Sequence, residues 1–401
     1  MLSETTRSAT DSRANSFASD RSAWKESCAR FLAGGLHYSG LLRVLRRFEA
    51  NQRLESQPNG FPRFRPFKGS KFGILCYHRV GTEGVPLYSR LDPRTFEEQM
   101  RYIRRRYRIV SLDQLCRELS NHDVVPPTLA VTFDDGYRDL YRYAFPVLQK
   151  CQIPATIYLI ARCMETGEAP WYDRIFAALQ AFPEASLELD LHSPRTFELH
   201  TREARLRVAL EIISYLRTIP DSQRRNWCAR FEARVPTPGA ELQDRMLNWE
   251  QVRAMHRAGV FFGAHTGTHP FVSRLEPELL EDELGRSRQI LQHGLQAEVR
   301  DFAYPFGKPE DCSLAAEEFL PANGYRSAVT TIERCNTADT NPYRLCRLSV
   351  NDESSLAYFA FRVSRMFLDC VPETEQADFS SVQARGMKSM EAEPSVGAKH
   401  A

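Results

Sequence analysis

From residue 71 onward, short apolar runs alternate with amphipathic stretches. Residues 72–77, 108–111, 129–133 and 154–160 read as strands, being short, apolar and bounded by charged residues, glycine or proline. Between them, 93–107, 112–119 and 137–150 carry helical spacing, and Asp92 followed by Pro93 supplies an N-cap and a proline at the first helical position. The pattern resumes with a helix over 248–258, opened by an Asn248/Gln251 capping pair, and a strand over 260–264. A long helix over 277–293, strands at 301–304, 327–331 and 345–350, and a last helix over 356–367 follow. Such alternation implies a parallel sheet. Chemistry at several strand ends suits an α/β fold of the (β/α) barrel type, whose sites collect at the C-terminal face.

Residues 163–247 break the alternation with helical patterns and many arginines. An insertion there would lie over the site face, as a lid, a substrate-binding unit or a structural decoration. Residues 1–70 read as an N-terminal arm and 371–401 as a polar, flexible tail, leaving 71–370 as the folded domain. Within the arm, Leu41, Leu42, Val44, Leu45 and Phe48 lie beside Arg43, Arg46, Arg47 and Arg53. That segment, residues 36–54, reads either as a helix packed on the domain or as an interfacial helix touching a membrane.

Composition narrows the function classes. The chain has 401 residues, 42% of them hydrophobic, and a formal net charge of +2, so no strong field argues for nucleic acid. Ten cysteines are scattered with no C-x-x-C pair, which suggests reduced thiols. The start lacks an apolar run of signal-peptide type. The expectation is a cytoplasmic chain, peripheral at the inner face of the membrane if the arm binds lipid.

Two segments carry candidate chemistry. Residues 129–133 end in Asp134, Asp135 and Gly136, a strand delivering two carboxylates to its C-terminal end. Residues 260–264 are followed by His265-Thr-Gly-Thr-His269, two imidazoles four positions apart. One carboxylate and two imidazoles make a three-donor set for a divalent ion with a position left for water, and the second carboxylate could act as base. Either segment alone is weak, since Asp-Asp-Gly also suits a turn.

Together the segments resemble the polysaccharide deacetylases of the NodB-homology type, with Thr132–Gly136 as the first motif and His265–Pro270 as the second. The resemblance implies a distorted barrel of fewer than eight strands, about seven, carrying a helical insertion and a helical N-terminal arm. It implies a hydrolase that removes N-acetyl groups from a polysaccharide or glycan precursor, in exopolysaccharide or cell-envelope synthesis. Asp135, His265 and His269 would hold the metal, with Zn²⁺ as the default and Co²⁺ or Ni²⁺ also accepted. Asp134 would be the general base.

Departures from the family pattern matter as much. The third motif resembles Phe302-Ala303-Tyr304-Pro305-Phe306-Gly307, with Ala303 where an arginine that supports the base is usual. Arg300 is a substitute, and the Phe306 N–H remains for the oxyanion. Tyr304 and Trp171 join these as substrate-side candidates. The late strand reads Leu345-Cys346-Arg347 and lacks the usual Leu-x-His. First and last strands are neighbours in a closed barrel, so His78, in a Tyr-His-Arg segment like that of the exopolysaccharide branch, is the expected general acid. The competing readings are an amidohydrolase or esterase acting on another acyl group, and a glycan-binding protein impaired in catalysis.

Overall fold

The computed structural model describes residues 70–82, 90–123, 125–235, 242, 245–350 and 355–368. The basic stretch at 36–54, the rest of the arm and the C-terminal tail lie outside them. The strands are β1 (Phe72–Tyr77), β2 (Arg108–Ile109), β3 (Thr128–Phe133), β4 (Ala155–Leu159), β5 (Ser186–Asp190), β6 (Pro194–Glu198), β7 (Phe261–Ala264), β8 (Asp301–Ala303), β9 (Ser327–Val329) and β10 (Leu348–Ser349). The α-helices are α1 (Pro93–Arg106), α2 (Leu112–Ser120), α3 (Phe145–Cys151), α4 (Ala161–Thr166), α5 (Trp171–Ala181), α6 (Arg202–Leu216), α7 (Asp221–Arg234), α8 (Trp249–Arg257), α9 (Arg286–Leu295), α10 (Leu314–Ala322) and α11 (Leu356–Leu368).

Seven strands form one sheet in the order β10-β1-β3-β4-β7-β8-β9, with β2 attached to the start of β3. Every pair in it is parallel. The sheet curls into a half-barrel, and residues 345–349 span its open side. Leu345 bridges Val329 of β9, while Leu348 and Ser349 pair with Leu75 and Cys76 of β1.

Strand parity decides what each side chain meets. Leu75, Tyr77, Val131, Phe133, Ile157 and Leu159 join one core cluster with Phe96 and Met100 of α1, Val252 of α8, Leu291 of α9 and Phe359 of α11. Phe72, Ile74, Ala130, Tyr158, Val329 and Leu345 join another, closed by Leu112 and Leu115 of α2. Asp134 continues the parity of Ala130 and Thr132, which turns its side chain toward the inside of the curl.

Several expected elements appear in altered form. The helix expected from 137 starts with a π-helical turn, Leu140–Ala144, before α3. Tyr137 is withdrawn from the helix to bridge Met246 and to donate its hydroxyl to Asp173 at 3.0 Å. The long helix expected over 277–293 is three pieces: a 3₁₀ turn at Pro277–Leu279, a π turn at Glu281–Gly285, and α9. The π turn carries Glu283 inward. The insertion holds α5, α6 and α7 as expected, plus an antiparallel hairpin of β5 and β6. It has its own core, built on Trp171, Phe176, Ile212, Leu216, Trp227 and Phe231. Seven cysteines among the described residues are free thiols. No helix among the described residues is long and apolar enough to cross a membrane.

Gly263 sits where β7 passes under its neighbours, and a methyl there would stand 2.7 Å from the Asp301 carbonyl oxygen and 2.5 Å from the Tyr158 ring. Gly263→Ala is therefore expected to lower stability by about 1–3 kcal/mol, read as a lower Tm in thermal unfolding. A Tm equal to the parent's would show that the strands move apart without cost.

Candidate active site

The parallel strands deliver their C-terminal residues to one edge, and the candidate chemistry gathers there. Asp134 follows β3, its backbone N–H donating to the Tyr77 carbonyl at 2.9 Å. Its side chain is 2% exposed and receives a two-pronged donation from Arg347. Nη1 reaches Oδ1 at 2.7 Å and Nη2 reaches Oδ2 at 2.7 Å. Arg347 itself is fully buried. Its Nε donates to the Thr330 carbonyl at 2.7 Å and Nη1 also to Thr132 Oγ1 at 3.2 Å. Burial pushes the Asp134 carboxyl up, but the Arg347 charge, His265, the Arg347 hydrogen bonds and His78 outweigh it and hold the pKa at about 2.

Arg347 thus makes the base-supporting contact expected of Arg300. Arg300 precedes β8, at the opposite pole of the barrel from the site, and its exposed side chain pairs with Glu298. The missing arginine is supplied by the strand that lacks the usual histidine. Its signal in the sequence is a lone charge inside an apolar run, Leu345-Cys346-Arg347-Leu348, which demands a buried partner.

Asp135, His265 and His269 come together as a second, adjacent group whose donor atoms lie within 4.8 Å of one another. Nε2 of His265 and of His269 stand 3.5 and 3.3 Å from Asp135 Oδ1. Ligands about 2.0–2.1 Å from a tetrahedral ion are roughly 3.4 Å apart, so the spacing fits. Three further observations agree. Asp135 Oδ1 is buried without a hydrogen-bond partner. The His265 Nδ1 proton goes to the Ala303 carbonyl at 2.7 Å, which leaves Nε2 as the bare nitrogen. Burial pushes His269 down to about 4, so its ring is neutral, as a ligand must be.

Cys76, His78 and Asp134 form another group of ligand-type atoms, but both Asp134 oxygens already face the Arg347 cation. Burial also raises the Cys76 thiol well above its ordinary value. A cation has no place there.

The backbone at the site is strained. Among the described residues, seven non-glycine residues have positive φ, and four of them are Asp135 (72°), Thr266 (65°), His269 (61°) and Phe306 (58°). What holds the histidine loop is visible. Glu283 accepts from Thr268 N at 2.8 Å and Thr268 Oγ1 at 2.7 Å, and its own carbonyl receives Gly267 N at 2.9 Å. Arg225 of α7 donates to Glu283 at 2.6 Å. Thr266 Oγ1 takes the His269 N–H at 2.9 Å.

A cavity of about 310 Å³ opens over these groups, lined by His78, Leu91, Asp134, Asp135, His265, His269, Phe306 and Lys308, among others. His78 ends β1 as expected, with Nε2 4.0 Å from Asp134 Oδ2 and a quarter of its side chain exposed (26%). Phe306 lies edge-on to His269, ring centroids 4.9 Å apart, and stacks on Phe271 at 4.2 Å. No acceptor for its backbone N–H is found among the described residues, while its carbonyl accepts from Thr331 Oγ1.

Two substrate-side candidates are corrected. Trp171 is 4% exposed, packed in the insertion's core. Its Nε1 donates to the His269 carbonyl at 2.9 Å, so it braces the histidine loop, and it does not line the active-site cavity. Tyr304 is 1% exposed and packs edge-on against Phe302 in the barrel core, outside the cavity lining.

The fold and these two carboxylate–histidine groups define a hydrolase of the deacetylase class. The family model for polysaccharide deacetylases matches residues 121–324, and the chain belongs to that family. YxkH of Bacillus subtilis (strain 168), which carries the polysaccharide deacetylase name, is 21% identical over 302 residues, 75% of this chain and 78% of YxkH. The Streptococcus pyogenes deacetylase PplD, solved in complex with acetate, superposes with a TM-score of 0.50 at 19% identity, covering 74% of this chain and 97% of that one. IcaB from Ammonifex degensii gives a TM-score of 0.48 at 20% identity, covering 74% and 98%.

Removing the arginine while leaving the carboxylate strands a buried charge. Arg347→Met is expected to cost about 3–5 kcal/mol, and adding Asp134→Asn should restore a large part of it in urea unfolding. A single variant as stable as the parent would refute the coupling.

Proposed function

We propose that the chain is a metal-dependent enzyme that removes N-acetyl groups from a polysaccharide or glycan precursor of exopolysaccharide or cell-envelope synthesis. The observation that carries this reading is the three-donor set of Asp135, His265 and His269 beside a separately held carboxylate, Asp134. A divalent ion, Zn²⁺ by default, would there acidify a water molecule and polarise the acyl carbonyl. Everything else falls to the chain's own residues.

Asp134 accepts the proton of the attacking water. Its carboxylate is ionised at any working pH, and the Arg347 fork fixes the plane of the carboxylate while leaving lone pairs for the water. A base with so low a pKa is weak, so the water must already be acidified, and this is the physical reason that base and ligand aspartates are neighbours. His78, which lines the same cavity with Nε2 4.0 Å from Asp134, delivers a proton to the leaving amine nitrogen. The Phe306 N–H, held by the strained turn into Gly307, meets the developing oxyanion. An amine is a poor leaving group without that proton, so the assignment gives each side of the scissile amide its own donor.

Acetate release from N-acetylglucosamine oligomers tests the reading. Release is expected with metal, to stop with chelator, and to fall about 10²–10⁴-fold in Asp134→Asn. Release that ignores chelator would overturn the metal, and absence of release from every N-acetylated glycan would overturn the substrate class. For His78→Ala, kcat should fall about 10²-fold or more while bound metal, measured by elemental analysis, stays equimolar. Full kcat in that variant would remove His78 from the mechanism.

A further inference from the structure

A second cavity of about 310 Å³ lies on the far side of the histidine loop, between α4 and α7, and shares no lining residue with the active-site cavity. Its floor is apolar, with Ala169, Pro170 and Ala229, and Arg162, Arg174, Arg224 and Arg225 converge on it. Arg174 is committed at the rim to Glu168 and Glu232, at 3.0 and 2.9 Å. The other three differ. Asp221, 1% exposed, takes the Nε of Arg224 on one oxygen and the Nε of Arg225 on the other, each at 2.6 Å. That pairing locks both guanidinium planes and consumes only their inner edges. Arg225 spends Nη2 on Glu283. Arg224 is 3% exposed and its Nη2 has no hydrogen-bond partner. Its guanidinium lies 4.9 Å from the Trp171 ring, which fixes it further. Arg162 adds a donor from α4, held only loosely by Glu165 at 3.4 Å.

A buried guanidinium with an unmet N–H is costly. Glu168 and Glu232 in the lining and Asp221 and Glu283 behind it balance the arginine charge, so what remains is donor geometry: guanidinium groups from α4 and α7 held around one small space.

We propose that this cleft is a binding site for a phosphate monoester, gripped by Arg224, Arg225 and Arg162. Three arginine edges offer more donors than the two oxygens of a carboxylate can use, whereas a phosphate presents three terminal oxygens. The apolar floor leaves room for the group that carries the phosphate.

The test is titration calorimetry on the full chain stripped of metal by chelator, so that the catalytic centre cannot take the anion. Inorganic phosphate and N-acetylglucosamine 1-phosphate are the two probes, with acetate as the planar comparison. Saturable binding of either phosphate and none of acetate is expected, and the tighter of the two names the source. Arg224→Gln should weaken that binding at least about tenfold. Because Arg224 is buried, a thermal melt checks its folding, and Arg162→Gln, whose side chain is 45% exposed, should weaken it several-fold in a protein that folds as the parent does. No saturable heat with either phosphate, equal binding of acetate, or unchanged affinity in both variants would overturn the site. Deacetylase activity plays no part in the readout, so its loss and the loss of this site are told apart.

Discussion

The buried pair of Arg347 and Asp134 is the contact on which the site turns. The half-barrel closes through residues 345–350, whose backbone bonds to Ala328, Thr330 and Ile332 on one side and to Cys76 on the other. Arg347 projects from that segment across the interior and ties it to the end of β3. Desolvating two charges costs several kcal/mol each, and only matched geometry and full satisfaction offset it. Both conditions are met. Each Asp134 oxygen receives its own nitrogen, and the remaining donors reach the Thr330 carbonyl and Thr132 Oγ1. The contact that closes the fold is therefore the contact that orients the Asp134 carboxylate and keeps it ionised.

The same pair explains what could and could not be read in advance. Asp134, Asp135, His265 and His269 were legible because each pair is contiguous or nearly so and follows an apolar strand. His78 was legible by topology, since ring closure brings the first strand beside the last. The supporting arginine was sought near the third motif, at Arg300, because local spacing favours a neighbour in sequence. Arg347 is 213 residues from Asp134, and only the closure of the sheet brings them together. The apolar runs also located the sheet's strands, whereas the helix over 277–293 failed where a tertiary demand intervened. Glu283 has to face Thr268, and a π turn supplies the extra residue that lets it do so.

Trp171 failed for a related reason. An aromatic residue near a glycan site suggests a stacking platform, but α5 is apolar almost all round, as a buried helix is. In the structure its indole N–H holds the His269 carbonyl. The insertion therefore acts on the site from behind. Trp171 and the Arg225–Glu283–Thr268 chain brace the histidine loop, and Tyr172 lies edge-on to His269 with ring centroids 4.8 Å apart.

That bracing is what a strained histidine loop requires. Left-handed backbone at Asp135, Thr266, His269 and Phe306 costs on the order of 1–3 kcal/mol at each residue and persists only where surroundings over-determine it. Around the carboxylate loop the surroundings are the sheet itself. Around the histidine loop the sheet ends too early, and the insertion completes the enclosure. A bare half-barrel could present the same five side chains, Asp134, Asp135, His265, His269 and His78, but its histidine loop would keep only the Thr266 hydroxyl and Glu283 and would lose the indole that holds the His269 carbonyl. The insertion is thus part of the scaffold of the candidate site, and its arginines and tryptophan belong to the same mechanical unit as the histidines they support.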